Sequence, residues 1–175
     1  MRQRDRSRKS AGRLAEISLL TGISLIMFII EMQIPNPVPI PGIKLGLANI
    51  ITVCAVYFYT PAEAAAILFV RVLLGSVFGG NISAVPYSLC GGLLCLAGMI
   101  PVRRILGTEH IRTASVIGAV LHNIGQIAAA AVIMKTFTVF AYLPFLIFSG
   151  CIAGFFTGTA AKALTEKLRG INVKE

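Results

Sequence analysis

Several polar side chains stand inside apolar stretches of the sequence, where an ionisable or amide group is expensive unless it has a partner or a function. Arg71 interrupts the apolar run 68–74, and His122 and Gln126, one helical turn apart, are expected to share a helix face. A guanidinium can form two parallel hydrogen bonds to a carboxylate or phosphate. The set therefore predicts a pocket, open to the outside, for a ligand with an acidic end. The candidate ligand-binding residues are Lys44, Asn49, Arg71, Ser88, His122, Asn123 and Gln126.

A structural alternative stays open for the same residues. Arg71 could be satisfied by Asn123, Gln126 or main-chain carbonyls and serve only to fix the register of neighbouring helices. We favour the pocket, with apolar walls that hold a ring or hydrocarbon part and the proline-rich segment 32–42 as its lid.

Motifs for catalysis are missing from the sequence. It contains no GxxxxGK[ST] phosphate loop, so the chain is not expected to hydrolyse ATP alone. Its one aspartate, Asp5, cannot build an aspartate-rich magnesium diphosphate site. The four cysteines form no CxxC pair, and no HExxH or GxSxG string occurs. We expect no catalytic residue, metal site or cofactor.

The composition predicts an integral membrane protein. Hydrophobic residues make up 56% of the 175 residues and charged residues 13%, and the mean hydropathy is +0.83. The net charge of +9 could suggest nucleic acid, but the basic residues flank apolar stretches without interleaved aromatics. They are better explained as topology signals and contacts to anionic lipids, with no nucleic-acid partner.

The apolar stretches predict an all-α bundle of six transmembrane helices that forms one domain over 1–175. The predicted spans are about 13–31, 43–59, 62–79, 86–102, 114–134 and 141–164. Thirteen of the sixteen Lys and Arg residues then lie on one side of the membrane. Short basic loops stay in the cytoplasm, so both termini are predicted to be cytoplasmic.

Small residues recur at the spacing that lets helix backbones approach closely in lipid. Ala11 and Ala15 stand near the inner end of the first span and are the better candidates for docking to another membrane subunit. The glycine ladder in the last span, Gly150, Gly154 and Gly158, is a second candidate. Internal packing of the bundle is the alternative for both groups.

The polar residues and the glycine ladder lie in strings that resemble the Gx transporter family, also catalogued as heptaprenyl diphosphate synthase component I. The strings KLGLAN (44–49) and HNIGQ (122–126) carry the resemblance, together with 71–74, 88–92 and the glycine ladder. The family is similar to the substrate-binding S components of energy-coupling factor transporters. Those proteins bind a vitamin-like molecule from outside and dock, through an AxxxA pattern matched here by Ala11 and Ala15, to a shared transmembrane subunit with two ATPases.

The resemblance implies a multi-pass protein of the bacterial plasma membrane. The favoured function is a substrate-binding subunit for uptake of a small, anionic or vitamin-like molecule. The alternative is a non-transporting membrane component of a heptaprenyl diphosphate synthase, prenyl-quinone or flavin electron-transfer system. A structural anchor for an extracellular redox protein is a third possibility.

Overall fold

The described residues fold into α-helices, as expected. The computed structural model describes residues 2–33, 46–80 and 82–172, and these contain no strand. Lys44 and most of the proline-rich segment lie outside the described residues. The helices are α1 Arg2–Gln33, α2 Leu47–Phe58, α3 Pro61–Phe78, α4 Val85–Leu106, α5 Ile111–Met134 and α6 Leu143–Asn172.

Five of these helices are long and apolar enough to cross a membrane. The qualifying segments are Ala11–Glu31, Pro61–Phe78, Ile82–Leu106, Thr108–Met134 and Thr138–Lys167. They overlap five of the predicted spans and identify a multi-pass membrane protein.

The remaining predicted span, 43–59, is represented by the shorter helix α2. Twelve residues extend about 18 Å, whereas the hydrocarbon core of a bilayer is about 30 Å thick. Eight of the twelve residues are buried, and α2 contacts each of the other five helices. The helix is therefore shorter than the predicted span, and most of it is buried inside the bundle.

Successive helices run in alternating directions. Only Tyr59 and Thr60 separate α2 from α3, and the main-chain N–H of Gly46, just before α2, donates to the carboxylate of Glu31 near the end of α1. We call the end of the bundle where α1 begins and α6 ends the proximal end, and the opposite end the distal end. The proximal end is the predicted cytoplasmic one.

A polar network ties the helices together at the proximal end. The guanidinium of Arg13 donates to both oxygens of Glu63, at 2.9 and 3.0 Å, and lies 4.1 Å from the ring centroid of Tyr59. Glu63 also completes a capping box with Thr60 at the start of α3. Arg103 of α4 donates to the carbonyl of Tyr59 at 3.0 Å. Four helices are thereby joined around the α2–α3 turn.

Glycines bring α4, α5 and α6 into close contact. A Cβ atom on Gly125 of α5 would lie 2.7 Å from the carbonyl oxygen of Cys90 in α4. On the other side of α5, a Cβ on Gly154 of α6 would lie 2.7 Å from the Cα of Val116. These approaches fix α5 between α4 and α6, as small residues do in lipid.

Candidate ligand-binding cavity

A cavity of about 160 Å³ lies in the distal half of the bundle, and all six helices line it. Polar and charged side chains from all six helices converge there, and the rest of the lining consists of alanines, glycines, Phe28 and Val72. Six of the seven predicted ligand-binding residues line this cavity, whereas the seventh, Lys44, lies outside the described residues. The six are Asn49, Arg71, Ser88, His122, Asn123 and Gln126.

Arg71 is the buried cation of the cavity. It lies in α3, more than two turns from the proximal start of the helix, and is 6% exposed. An arginine at the centre of a spanning helix costs about 2.5–3.5 kcal/mol to insert, so its donors need acceptors. Yet the Arg71 guanidinium forms no hydrogen bond or close ion pair with any residue that the structure describes. The donors of a permanently charged group therefore border an open space.

If Arg71 served only to fix the register of the helices, its guanidinium would have to donate hydrogen bonds to Asn123, Gln126 or a main-chain carbonyl. The amide of Asn123 instead donates to the main-chain carbonyl of Leu146 in α6, at 2.6 Å. Gln126 forms no hydrogen bond within the described part of the chain. Both residues lie beside the cavity without satisfying the arginine.

The contact between α4 and α5 positions the polar groups of α5. A Cβ atom on Gly91 would lie 2.8 Å from Cγ of Gln126 and 3.1 Å from Cε1 of His122. The absence of a side chain at Gly91 leaves room for both. Ser88, about one turn before Gly91, borders the same space, so the HNIGQ string and the start of α4 form one wall.

Helix α6 supplies a hydroxyl-bearing wall that sequence reasoning missed. Ser149 and Thr157 line the cavity, and the hydroxyl of Thr157 lies 2.9 Å from that of Ser115 in α5. The signal was present in the sequence, because Thr157 is seven residues after Gly150 and so shares its helix face. The glycine ladder therefore marks the side of α6 that faces α5 and the cavity.

Glu31 and Ser76 were also absent from the predicted set. Ser76 is buried and donates to the carbonyl of Val72 at 2.8 Å, which satisfies its hydroxyl within α3. Glu31 is 9% exposed and places a carboxylate at the distal side of the cavity. It lies at the end of the apolar part of α1, and the fold places it against the start of α2.

The two groups of predicted docking residues lie in different surroundings. Ala11 and Ala15 are exposed on α1. Gly150, Gly154 and Gly158 are buried against α5, where added Cβ atoms would lie within 2.7–2.9 Å of Asn123, Val116 and Ser115. Internal packing accounts for the glycine ladder. Of the two predicted docking groups, the alanines are the one exposed on the surface of the bundle.

The described residues contain no group of three or more His, Cys, Asp and Glu side chains that could hold a metal ion. The cavity can instead bind a small molecule through charged, amide and hydroxyl groups. Its chemistry is that of a binding site whose strongest feature is a fixed positive charge.

Comparison with known proteins places the chain in a family. The family model for heptaprenyl diphosphate synthase component I matches residues 20–164, which is most of the chain and includes every described cavity residue. No curated protein and no solved structure matches the chain. The chain belongs to the heptaprenyl diphosphate synthase component I family.

Proposed function

We propose that this member of the heptaprenyl diphosphate synthase component I family is the substrate-binding membrane subunit of an uptake system for a small molecule that carries an anionic group. One observation carries the proposal. Arg71 is buried beside a cavity, and its guanidinium has no hydrogen-bond partner among the described residues. A carboxylate or phosphate is the acceptor that matches its donors best.

The size and lining of the cavity support a small polar ligand over a lipid tail. A cavity of about 150 Å³ can hold a molecule of the size of benzene, and this one is about 160 Å³. A heptaprenyl chain is many times larger. A hydrocarbon would also leave the guanidinium of Arg71 without an acceptor among the described residues.

Uptake requires energy that this chain is not expected to supply, since its sequence has no phosphate loop. We assign that role to a shared transmembrane coupling subunit with two ATPases. Ala11 and Ala15, exposed near the proximal end of α1, form the docking surface, because small side chains let a partner helix approach closely. The complex would lie in the bacterial plasma membrane with the distal half of the bundle facing outside.

The alternative function is a membrane component of a heptaprenyl diphosphate synthase, prenyl-quinone or flavin electron-transfer system without transport activity. The family's name is the observation that favours it. Under either function we assign no catalytic residue to this chain.

Mass spectrometry of the small molecules that co-purify with the detergent-solubilised protein separates the two functions. We expect a water-soluble acid in stoichiometric amount with the wild type and its loss from Arg71→Gln. Glu16→Gln, an exposed substitution at the proximal end, serves as the matched control and should retain the molecule. Recovery of prenyl lipid alone, in equal amounts from all three proteins, would favour the alternative.

A further inference from the structure

Glu31 gives the cavity a second fixed charge, of opposite sign to that of Arg71. One oxygen of its carboxylate accepts the main-chain N–H of Gly46. The other oxygen accepts no hydrogen bond from any residue that the structure describes. Glu31 is nine-tenths buried and lines the cavity. Its second oxygen, like the donors of Arg71, has no hydrogen-bond partner among the described residues.

The two charges are not joined to each other. The ion pairs formed by described residues are Arg13–Glu16, Arg13–Glu63 and Lys162–Glu166, and none of them includes Glu31 or Arg71. No direct contact between described residues neutralises either charge. A ligand can therefore lie between them.

The packing of α1 on α3 separates the two charges along the bundle. A Cβ atom on Gly75 of α3 would lie 3.0 Å from the ring of Phe28 in α1, so these two residues mark a common level. Glu31 is three residues distal to Phe28, and Arg71 is four residues proximal to Gly75. With parallel helices and a rise of 1.5 Å per residue, the backbones of Glu31 and Arg71 differ in height by about 10 Å.

We infer that the cavity takes an amphoteric ligand, with an acidic group at Arg71 and a cationic or N–H-donating group at Glu31. This inference rests on the proposed function and narrows its ligand class. A simple acid bound at Arg71 would leave the buried carboxylate of Glu31 facing a second negative charge. A molecule with both groups satisfies both charges, and Asn49, beside Gly46 at the start of α2, adds an amide at the Glu31 end.

Three commercially available probes built on one benzene ring test the inference. 4-(Aminomethyl)benzoate carries a carboxylate and an ammonium at opposite ends of the ring, benzoate has only the carboxylate, and benzylamine has only the ammonium. Binding is measured by calorimetry on the full-length protein in detergent. We expect 4-(aminomethyl)benzoate to bind at least about tenfold more tightly than either single-charge probe.

Substitutions at Glu31 and Arg71 test which charged group of the probe each residue binds. Glu31→Gln should abolish the preference for 4-(aminomethyl)benzoate over benzoate, and Arg71→Gln should weaken both acids by about tenfold or more. Glu16→Gln, which removes a carboxylate of α1 outside the cavity, should leave all affinities unchanged.

Failure of the inference differs from failure of the proposed function. Equal affinity for the two acids in the wild type, with both lost in Arg71→Gln, overturns the amphoteric ligand and keeps the anionic site. A preference that persists in Glu31→Gln also overturns the inference alone. Binding of none of the three probes, or binding that is insensitive to Arg71→Gln, overturns the proposed function and the inference together.

Discussion

The side-chain amide of Asn123 occupies the space that a side chain on Gly150 would fill. A Cβ atom on Gly150 would lie 2.9 Å from Nδ2 of Asn123, and that nitrogen donates to the carbonyl of Leu146 at 2.6 Å. The small residue in α6 thus makes room for the polar residue in α5. The bond fixes the Asn123 side chain where it borders the cavity.

Gly150→Ala should therefore destabilise the protein. The new methyl group displaces the Asn123 amide, and a buried polar group without a partner costs about 1–3 kcal/mol. We expect a lower midpoint of thermal unfolding in detergent. Gly22→Ala is the matched control, because its Cβ would meet no atom within 4 Å. Equal midpoints for the two variants would show that Asn123 does not depend on Gly150.

The contact between α4 and α5 predicts a second glycine effect. A Cβ on Gly125 would lie 2.7 Å from a main-chain oxygen of α4, which cannot move aside as a flexible side chain can. Gly125→Ala should separate the helices and weaken ligand binding as well as stability, as overpacking typically costs about 1–3 kcal/mol. Affinity is measured by calorimetry with 4-(aminomethyl)benzoate. If this variant binds the probe as tightly as the wild type, the α4–α5 contact does not form a wall of the binding cavity.

Docking at α1 is tested by replacing Ala11 and Ala15 together with leucine. Both alanines are exposed, so the larger side chains should obstruct a partner helix without disturbing this chain. We expect loss of a co-purified membrane subunit with unchanged thermal stability and ligand content. Ala128→Leu, an exposed alanine of α5, is the control. An intact complex in the double variant would remove α1 from the docking surface.

Membrane orientation is tested with single cysteines in a protein that lacks the four native ones. Lys9, Arg104 and Lys167 are predicted to lie inside, and Asn36, Ser83 and Thr136 outside. In intact cells, an impermeant maleimide should label only the last three positions, because basic residues are retained in the cytoplasm. Permeabilised cells should show labelling at all six. Labelling of position 104 in intact cells would reverse the orientation and place the cavity on the wrong side.

The sequence was sufficient to predict the helices and most of the cavity's polar residues. Hydropathy predicted six spans, and five of them correspond to helices long and apolar enough to cross a membrane. The cost of a polar group in lipid singled out Arg71, His122 and Asn123 before any contact was known. These signals are local, since each depends on a residue and its chain neighbours.

Properties that depend on contacts between helices were not predictable in the same way. Helix α2 has the composition of a span, but its burial by the other five helices is visible only in the fold. The contact of Glu31 with Gly46 joins the end of α1 to the start of α2, and hydropathy does not predict such a contact between helices. The spacing of the glycine ladder predicts a close helix contact. It does not show whether the contacting helix belongs to this chain or to another subunit.

Arg71 provides the most direct test of the account. The measurement is the amount of small acid that co-purifies with the wild type, Arg71→Gln and Arg71→Lys, together with their unfolding midpoints. Losing charge-assisted hydrogen bonds worth about 1.5–3 kcal/mol should reduce affinity roughly tenfold or more. Both variants should show this loss, because lysine lacks the flat two-pronged geometry, and both should unfold at the wild-type temperature. Undiminished ligand in both variants, or a lower unfolding midpoint with ligand retained, would contradict the claim that Arg71 binds an anion.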